Sequence, residues 1–302
     1  MGPTASGKTE RAVQLVREFP LDIVSVDSAL VYRGMNIGTA KPDAETLRVA
    51  PHRLIDIREP EDAYSAGSFV ADATREIRRI LSAGRTPLLV GGTMLYFRSL
   101  LNGIARLPKA DPAVRKAIDV EAGERGWPAM HAELAGIDPD SAARIEPRDR
   151  QRIQRALEVY RLSARPLSDW QRLTPGVVAP FRFLKLALID DDRSRLHARI
   201  NRRFSSMLDR GFIDEVRGLM CRPDLREDSP SMRSVGYRQL WAHLRGDYDL
   251  DDATSRAQAA TRQLAKRQLT WLRSETELTV FDPLEKQTGA AISLAVSDEL
   301  NN

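Results

Sequence analysis

The chain has 302 residues, 42% hydrophobic and 29% charged, with 46 Lys and Arg against 42 Asp and Glu. That balance describes a globular protein, long enough for a proper core and for about two domains, and excludes a disordered one. A net charge of +4 weighted toward arginine favours polyanionic partners, whereas one cysteine (Cys221) and four scattered histidines exclude a disulfide framework and a cysteine- or histidine-based metal centre.

The octapeptide Gly2-Pro3-Thr4-Ala5-Ser6-Gly7-Lys8-Thr9 fits G-x-x-x-x-G-K-[ST]. Such a loop turns backbone N–H groups toward phosphate oxygens at the positive end of the following helix. Lys8 places a point charge on the distal phosphate, and the Thr9 hydroxyl suits Mg²⁺. Glu10, Ala12, Val13, Leu15 and Val16 continue as the helix the loop requires. A buried strand should precede the loop, yet only Met1 stands there. Either the sheet lacks a strand, or Met1 is an internal residue of a longer chain; the second reading is favoured.

Ile23–Val26 reads as a short buried strand ending at Asp27. Ser68–Leu81 reads as a helix with Phe69, Ala73, Ile77 and Ile80 on one face, and Leu88–Val90 as a second strand closed by Gly91 and Gly92. Strands alternating with helices predict an α/β fold, a P-loop parallel sheet flanked by helices. Ligands in such sheets bind beyond the carboxyl ends of the strands, where Asp27 and Thr93 fall. From 111 to 180 strand signals vanish, and Pro128, Pro139, Pro147 and Pro166 interrupt helices rich in Ala and Arg. This stretch reads as a small all-helical insertion in a core of 1–110 and 181–285. Leu184–Ile189 is a return strand, and Leu196, Ile200, Phe204, Met207 and Leu208 mark a long amphipathic helix. Ala253–Arg273 is a further helix carrying Arg256, Arg262, Lys266, Arg267 and Arg273, and 286–302 reads as a weakly ordered tail. No apolar run approaches the ~18 residues of a membrane span, and no signal-like segment opens the chain, so a cytoplasmic protein is expected.

Several residues are suited to chemistry. Asp27 at a strand end serves equally as an Mg²⁺ ligand, a base, a hydrogen-bond acceptor, or a turn and N-cap residue. Gly91-Gly92-Thr93 lets the backbone approach a ligand and presents a hydroxyl, or is a plain tight turn. Arg148, Arg150, Arg152 and Arg155, interleaved with Gln151 and Gln154, form a solvated helix face or a contact to a phosphate backbone. Lys266, Arg267, Trp271 and Arg273 form a second basic, aromatic-containing helix suited to nucleic acid.

Taken in order, these blocks give the whole chain a resemblance to the tRNA dimethylallyltransferases, also called tRNA isopentenyltransferases. It is carried by the phosphate loop, Val26-Asp27-Ser28-Ala29-Leu30-Val31-Tyr32, Ile37-Gly38-Thr39-Ala40-Lys41-Pro42 and Pro51-His52-Arg53-Leu54-Ile55-Asp56. Gly91-Gly92-Thr93-Met94-Leu95-Tyr96, Ile145-Glu146-Pro147-Arg148-Asp149-Arg150-Gln151-Arg152-Ile153, Val235-Gly236-Tyr237-Arg238-Gln239 and Lys266-Arg267-Gln268-Leu269-Thr270-Trp271-Leu272-Arg273 complete the set. Asn36 and Met94 depart from residues common in the family, Asp and Gly respectively.

The resemblance implies transfer of a dimethylallyl group from dimethylallyl diphosphate to N6 of the adenine adjoining the anticodon on its 3′ side, position 37. Gly2 to Thr9 would then hold the departing diphosphate with Mg²⁺ on Thr9, and Lys8 and Thr9 would stabilise its charge. Asp27 would be the general base. The implied tRNA contacts are Asp27, Ser28, Ala29, Leu30, Thr93 and Arg115; Gln151, Arg152, Ile153, Gln154 and Arg155; Arg233, Ser234, Val235, Gly236, Tyr237 and Arg238; and Lys266 to Arg273. A monomer is implied. Three rivals remain on sequence grounds: a small P-loop kinase, an adenylate isopentenyltransferase acting on free nucleotide, and a non-catalytic RNA-binding protein with a P-loop switch.

Overall fold

The computed structural model describes residues 1–105, 107–173 and 180–301. The chain divides into two units, Met1–Ser99 with Pro180–Asn302, and Leu100–Ala179.

In the first unit the phosphate loop runs into α1 (Lys8–Glu18), and β1 (Leu21–Val26) follows it. Leu21, Ile23, Val24 and Val26 are buried, as expected for a strand covered on both faces. Next come α2 (Ala44–Val49), the two-residue β2 (His52–Arg53), α3 (Ala66–Ser82), β3 (Thr86–Gly91) and α4 (Met94–Asn102). The Ser65 side chain accepts from the Ser68 N–H to start α3, which buries Phe69, Ala73, Ile77 and Ile80 as the spacing predicts. The strands form a parallel sheet in the order β2-β1-β3. Its register pairs Val26 with Gly91, so Asp27 and Gly92 leave the sheet side by side.

Among its described residues the second unit has only helices as regular elements: α5 (Pro112–Arg125), α6 (Trp127–Ile137), α7 (Pro139–Ala142), α8 (Arg150–Ser163) and α9 (Leu167–Leu173). Pro112, Pro128 and Pro139 sit in the first turns of their helices, where a missing N–H costs nothing. Asp111, Asp138 and Asp149 cap α5, α7 and α8. Ile118, Met130, Leu134, Ile153 and Leu157 form the unit's core. Inside it, fully buried Glu158 accepts from Arg115, Arg155 and the Asp111 N–H, so each carboxylate oxygen has a charged donor.

The first unit then resumes with β4 (Lys185–Leu188), α10 (Arg193–Asp209), α11 (Phe212–Met220), a short 3₁₀ turn at Ser231–Arg233, α12 (Tyr237–Arg245), α13 (Leu250–Leu272), β5 (Leu278–Phe281) and α14 (Thr288–Leu300). β4 and β5 pair in parallel. Met1 lies against β4: its amino group donates to Leu186 O at 2.6 Å, and Leu188 N donates to Met1 O at 3.0 Å. Met1 is thereby tied to β4 just before the phosphate loop. Phe204, Met207, Phe212, Val216, Tyr237 and Leu240 pack with Val31, Tyr32 and Met35 into one apolar cluster. Each large side chain so buried contributes about 1.5–3 kcal/mol.

The α/β fold with a parallel sheet is as expected. The weakly ordered tail is corrected, because α14 buries Thr288, Ile292 and Val296. Ile292 and Val296, four residues apart on one helical face, pack with Leu15 and Leu21. Ser293 Oγ also donates to Glu18 at 2.5 Å.

Candidate active site

Gly7 begins α1 in the left-handed region, at φ 80°, a conformation open to glycine. The first N–H groups of α1 have no partner within the helix and carry its positive end. Lys8 folds back so that Nζ donates to Pro3 O at 3.1 Å. Burial pushes its ammonium down to about 8; nearby Asp27 opposes that shift, and nearby Arg203 adds to it. Desolvation likewise lowers the Arg203 guanidinium, with Asp27 supporting its charge. Two cations and one carboxylate thus share a single electrostatic neighbourhood.

Asp27 serves two of the functions open to it on sequence. Its Oδ1 accepts from Ala29 N at 2.8 Å and Leu30 N at 3.3 Å, fixing the turn after β1. Those turn contacts leave Oδ2 for chemistry. Thr93 faces the same turn: its Oγ1 accepts from Ser28 N at 3.0 Å, and its N–H donates to Val26 O at 3.2 Å.

Lys8, Asp27, Ser28, Ala29, Thr93 and Arg203 all border one cavity of about 600 Å³ in the first unit. Thr4, Lys8, Asp27, Ser28, Thr93 and Arg203 supply its polar lining, and Ile200, Phe204, Met207, Phe212 and Leu264 its apolar lining. Tyr32, Tyr64, Tyr237 and Trp271 add aromatic surface, and Arg98 stacks 5.2 Å from the Trp271 ring centroid. Gly38 and Thr39 also border the cavity, and Glu215 on α11 holds the turn just before them. Its carboxylate accepts from Asn36 N (2.8 Å), Ile37 N (2.7 Å), Gly38 N (3.1 Å) and the Tyr237 hydroxyl (2.6 Å). A cavity with a cationic phosphate site, a carboxylate and an apolar wall can hold an apolar chain by its charged leaving group beside a base.

The structure sorts the expected RNA contacts by burial. Asp27, Ser28, Ala29, Thr93, Arg233, Ser234, Val235, Arg267 and Trp271 border the cavity, and Leu30 lies in the Asp27 turn. Gln151, Arg152, Arg238, Lys266, Thr270 and Arg273 are exposed. Ile153, Gly236, Leu269 and Leu272 are buried, because the apolar face of a helix and its cap pack on the core. Tyr237 is also fully buried in bulk and points its hydroxyl at Glu215. Gln268 also lines the cavity but is largely buried, with both amide atoms bonded inside the protein. In the second unit Arg115 and Arg155 are engaged by Glu158, and Gln154 donates to Asp119 at 2.7 Å.

Arg203 and Glu215 were not legible as site residues in the sequence. Arg203 had a signal: it shares the helical face of Leu196, Ile200 and Met207, where a cation is out of place on an apolar stripe. Glu215 had none, because its partners, three backbone N–H groups and the Tyr237 hydroxyl, are distant in sequence.

No group of three or more His, Cys, Asp or Glu poised for a metal occurs among the described residues. Of the two oxygen donors suited to Mg²⁺, Asp27 borders the cavity, whereas Thr9, in the first turn of α1, is not among its lining residues.

The family described as IPP transferase matches residues 30–275 of the chain. A tRNA dimethylallyltransferase of Thioalkalivibrio sulfidiphilus is 56% identical over 300 residues, covering 99% of this chain and 93% of the relative. The crystal structure of the full-length tRNA isopentenylpyrophosphate transferase of Bacillus halodurans superposes with a TM-score of 0.71 at 34% identity, covering 99% of this chain and 95% of the other. A eukaryotic dimethylallyltransferase captured acting on tRNA shares the fold, with a TM-score of 0.79 at 24% identity over 99% of this chain and 77% of its own.

Proposed function

We propose, since this chain belongs to the IPP transferase family, that it transfers the dimethylallyl group of dimethylallyl diphosphate to N6 of adenine 37 in tRNA, releasing diphosphate. The observation that carries this reading is the convergence of Lys8, Arg203 and Asp27 on one cavity with an apolar wall. In the reaction the C1–O bond to diphosphate breaks, the N6–C1 bond forms, and one N6 proton leaves. The lone pair of N6 is delocalised into the ring, so a base that accepts the proton strengthens the nucleophile.

The free oxygen of Asp27 takes that proton, while its other oxygen stays on the Ala29 and Leu30 N–H groups and holds the carboxylate in place. Lys8, Arg203 and the N–H groups opening α1 stabilise charge on the departing diphosphate. Mg²⁺ on Thr9, when bound, supplies further charge neutralisation of the leaving group. Ile200, Phe204, Met207 and Leu264 receive the prenyl chain and exclude water. Thr93 borders the adenine, which must leave its stack to enter the cavity. Exposed Arg152, Lys266, Arg267 and Arg273 supply backbone contacts to the anticodon stem-loop.

By its family we infer a cytoplasmic monomer; no helix among the described residues is long and apolar enough to cross a membrane. A small kinase would leave the basic helices unexplained, a free-adenylate enzyme needs no such surface, and a non-catalytic switch needs no base at Asp27.

The test is transfer of label from dimethylallyl diphosphate to unmodified tRNA in the presence of Mg²⁺, comparing the parent with Asp27→Asn. Asn keeps an oxygen for the turn and removes the base. Loss of about 10²–10⁴-fold in rate with diphosphate binding intact is the expected result. Label in free adenylate but not in tRNA, or equal rates for the two proteins, would refute the reading.

A further inference from the structure

We propose that Gln268 is a positioning residue that ties the phosphate loop to the turn beyond β3, and that it makes no contact with RNA. This rests on the prenyl-transfer reading and deepens it. Gln268 lies in the basic run of α13, yet its side chain is buried. Its Oε1 accepts from Thr4 N at 2.8 Å, and its Nε2 donates to Gly92 O at 2.7 Å. A Cβ added to Gly92 would lie 2.6 Å from that Nε2, so the close approach depends on glycine.

The two ends of the amide reach the two halves of the site. Thr4 belongs to the loop that grips the leaving group. Gly92 adjoins Thr93, whose hydroxyl accepts from Ser28 N beside Asp27. A continuous set of hydrogen bonds therefore runs from the diphosphate side to the base side. The distance between leaving group and base decides whether N6 and C1 meet in line, and an error of about 1 Å there costs on the order of 10²-fold in rate. A primary amide suits this position because it carries a donor and an acceptor side by side. An ionised carboxylate has no donor for Gly92 O, and a thioether leaves both partners unpaired.

The test compares the parent, Gln268→Glu and Gln268→Met in label transfer, with KM read separately for each substrate and tRNA affinity read by filter binding. At pH about 8, both variants should lose about 10- to 100-fold in kcat/KM for dimethylallyl diphosphate. Their tRNA affinity should stay within about twofold of the parent. The Gln268→Glu deficit, taken as a ratio to the parent at each pH, should shrink as the pH falls toward about 5, because the protonated side chain regains a donor and an acceptor. The Gln268→Met deficit should not. Unfolding midpoints confine the comparison to temperatures at which all three proteins are folded.

A loss confined to tRNA affinity, or a deficit equally independent of pH in both variants, overturns the proposal. Absence of transfer by the parent would instead overturn the prenyl-transfer reading. Binding of inorganic diphosphate, which needs no tRNA, would then still report the tie, through the same pH-dependent weakening in Gln268→Glu.

Discussion

Binding of inorganic diphosphate should take up a proton at Lys8. In the free protein burial holds this ammonium near about 8, against 10.5 for an ordinary lysine. Charging it there costs on the order of 3 kcal/mol, from ~1.4 kcal/mol per pH unit. Two unit charges ~4 Å apart at an effective dielectric of ~20 attract by about 4 kcal/mol, so a bound diphosphate reverses the cost and keeps Lys8 protonated. Below pH 8 Lys8 is charged with or without ligand, and affinity gains nothing from this linkage. Above it the free protein must first bind a proton, so affinity falls about tenfold per pH unit. Titration calorimetry in buffers of different ionisation enthalpy counts the proton directly, at close to one per diphosphate near pH 9 and close to none near pH 7. Dividing by the affinity of Lys8→Met, which keeps the side-chain bulk and loses the charge, cancels the ligand's own ionisation. Asp27→Asn removes the charge that supports the ammonium, and should move the inflection to lower pH. A parent-to-variant ratio that is flat from pH 7 to 10, or an inflection at the ordinary lysine value, would refute this account of the site.

Glu215→Gln replaces an acceptor of four hydrogen bonds with a side chain whose amide must face donors. Urea unfolding should show a loss of about 2–4 kcal/mol, and KM should rise as the Gly38–Thr39 wall loosens. Glu158→Ala strands Arg115 and Arg155 without their shared carboxylate, and should destabilise the helical unit by about 3–5 kcal/mol. Although burial raises the Glu158 carboxyl, Arg115, Arg155 and the Asp111 N–H hold it below its ordinary value of 4.5. Its stabilisation is therefore fully present above pH about 4.5 and lost as pH falls through the lower folded value, a dependence that unfolding of Glu158→Ala should lack.

Much of the site was legible because it is encoded within a few residues. The phosphate loop needs only its own glycines and the helix behind it, and the apolar run of β1 stops at Asp27, which places a carboxylate at a strand end. The helices of the second unit follow from capping aspartates and first-turn prolines. The apolar spacing that marked α3 and α10 is also present in α14, where Ile292 and Val296 lie four residues apart on one face.

The sequence by itself therefore determined the phosphate loop, the carboxylate at the strand end, the fold class and the family, all of which depend on neighbours in the chain. Tertiary structure alone decided which members of the basic run 266–273 face inward, and that Arg203 and Glu215 join the site. Those outcomes depend on which helix faces meet across long sequence separations, where burial follows from the partner surface and the local spacing is silent.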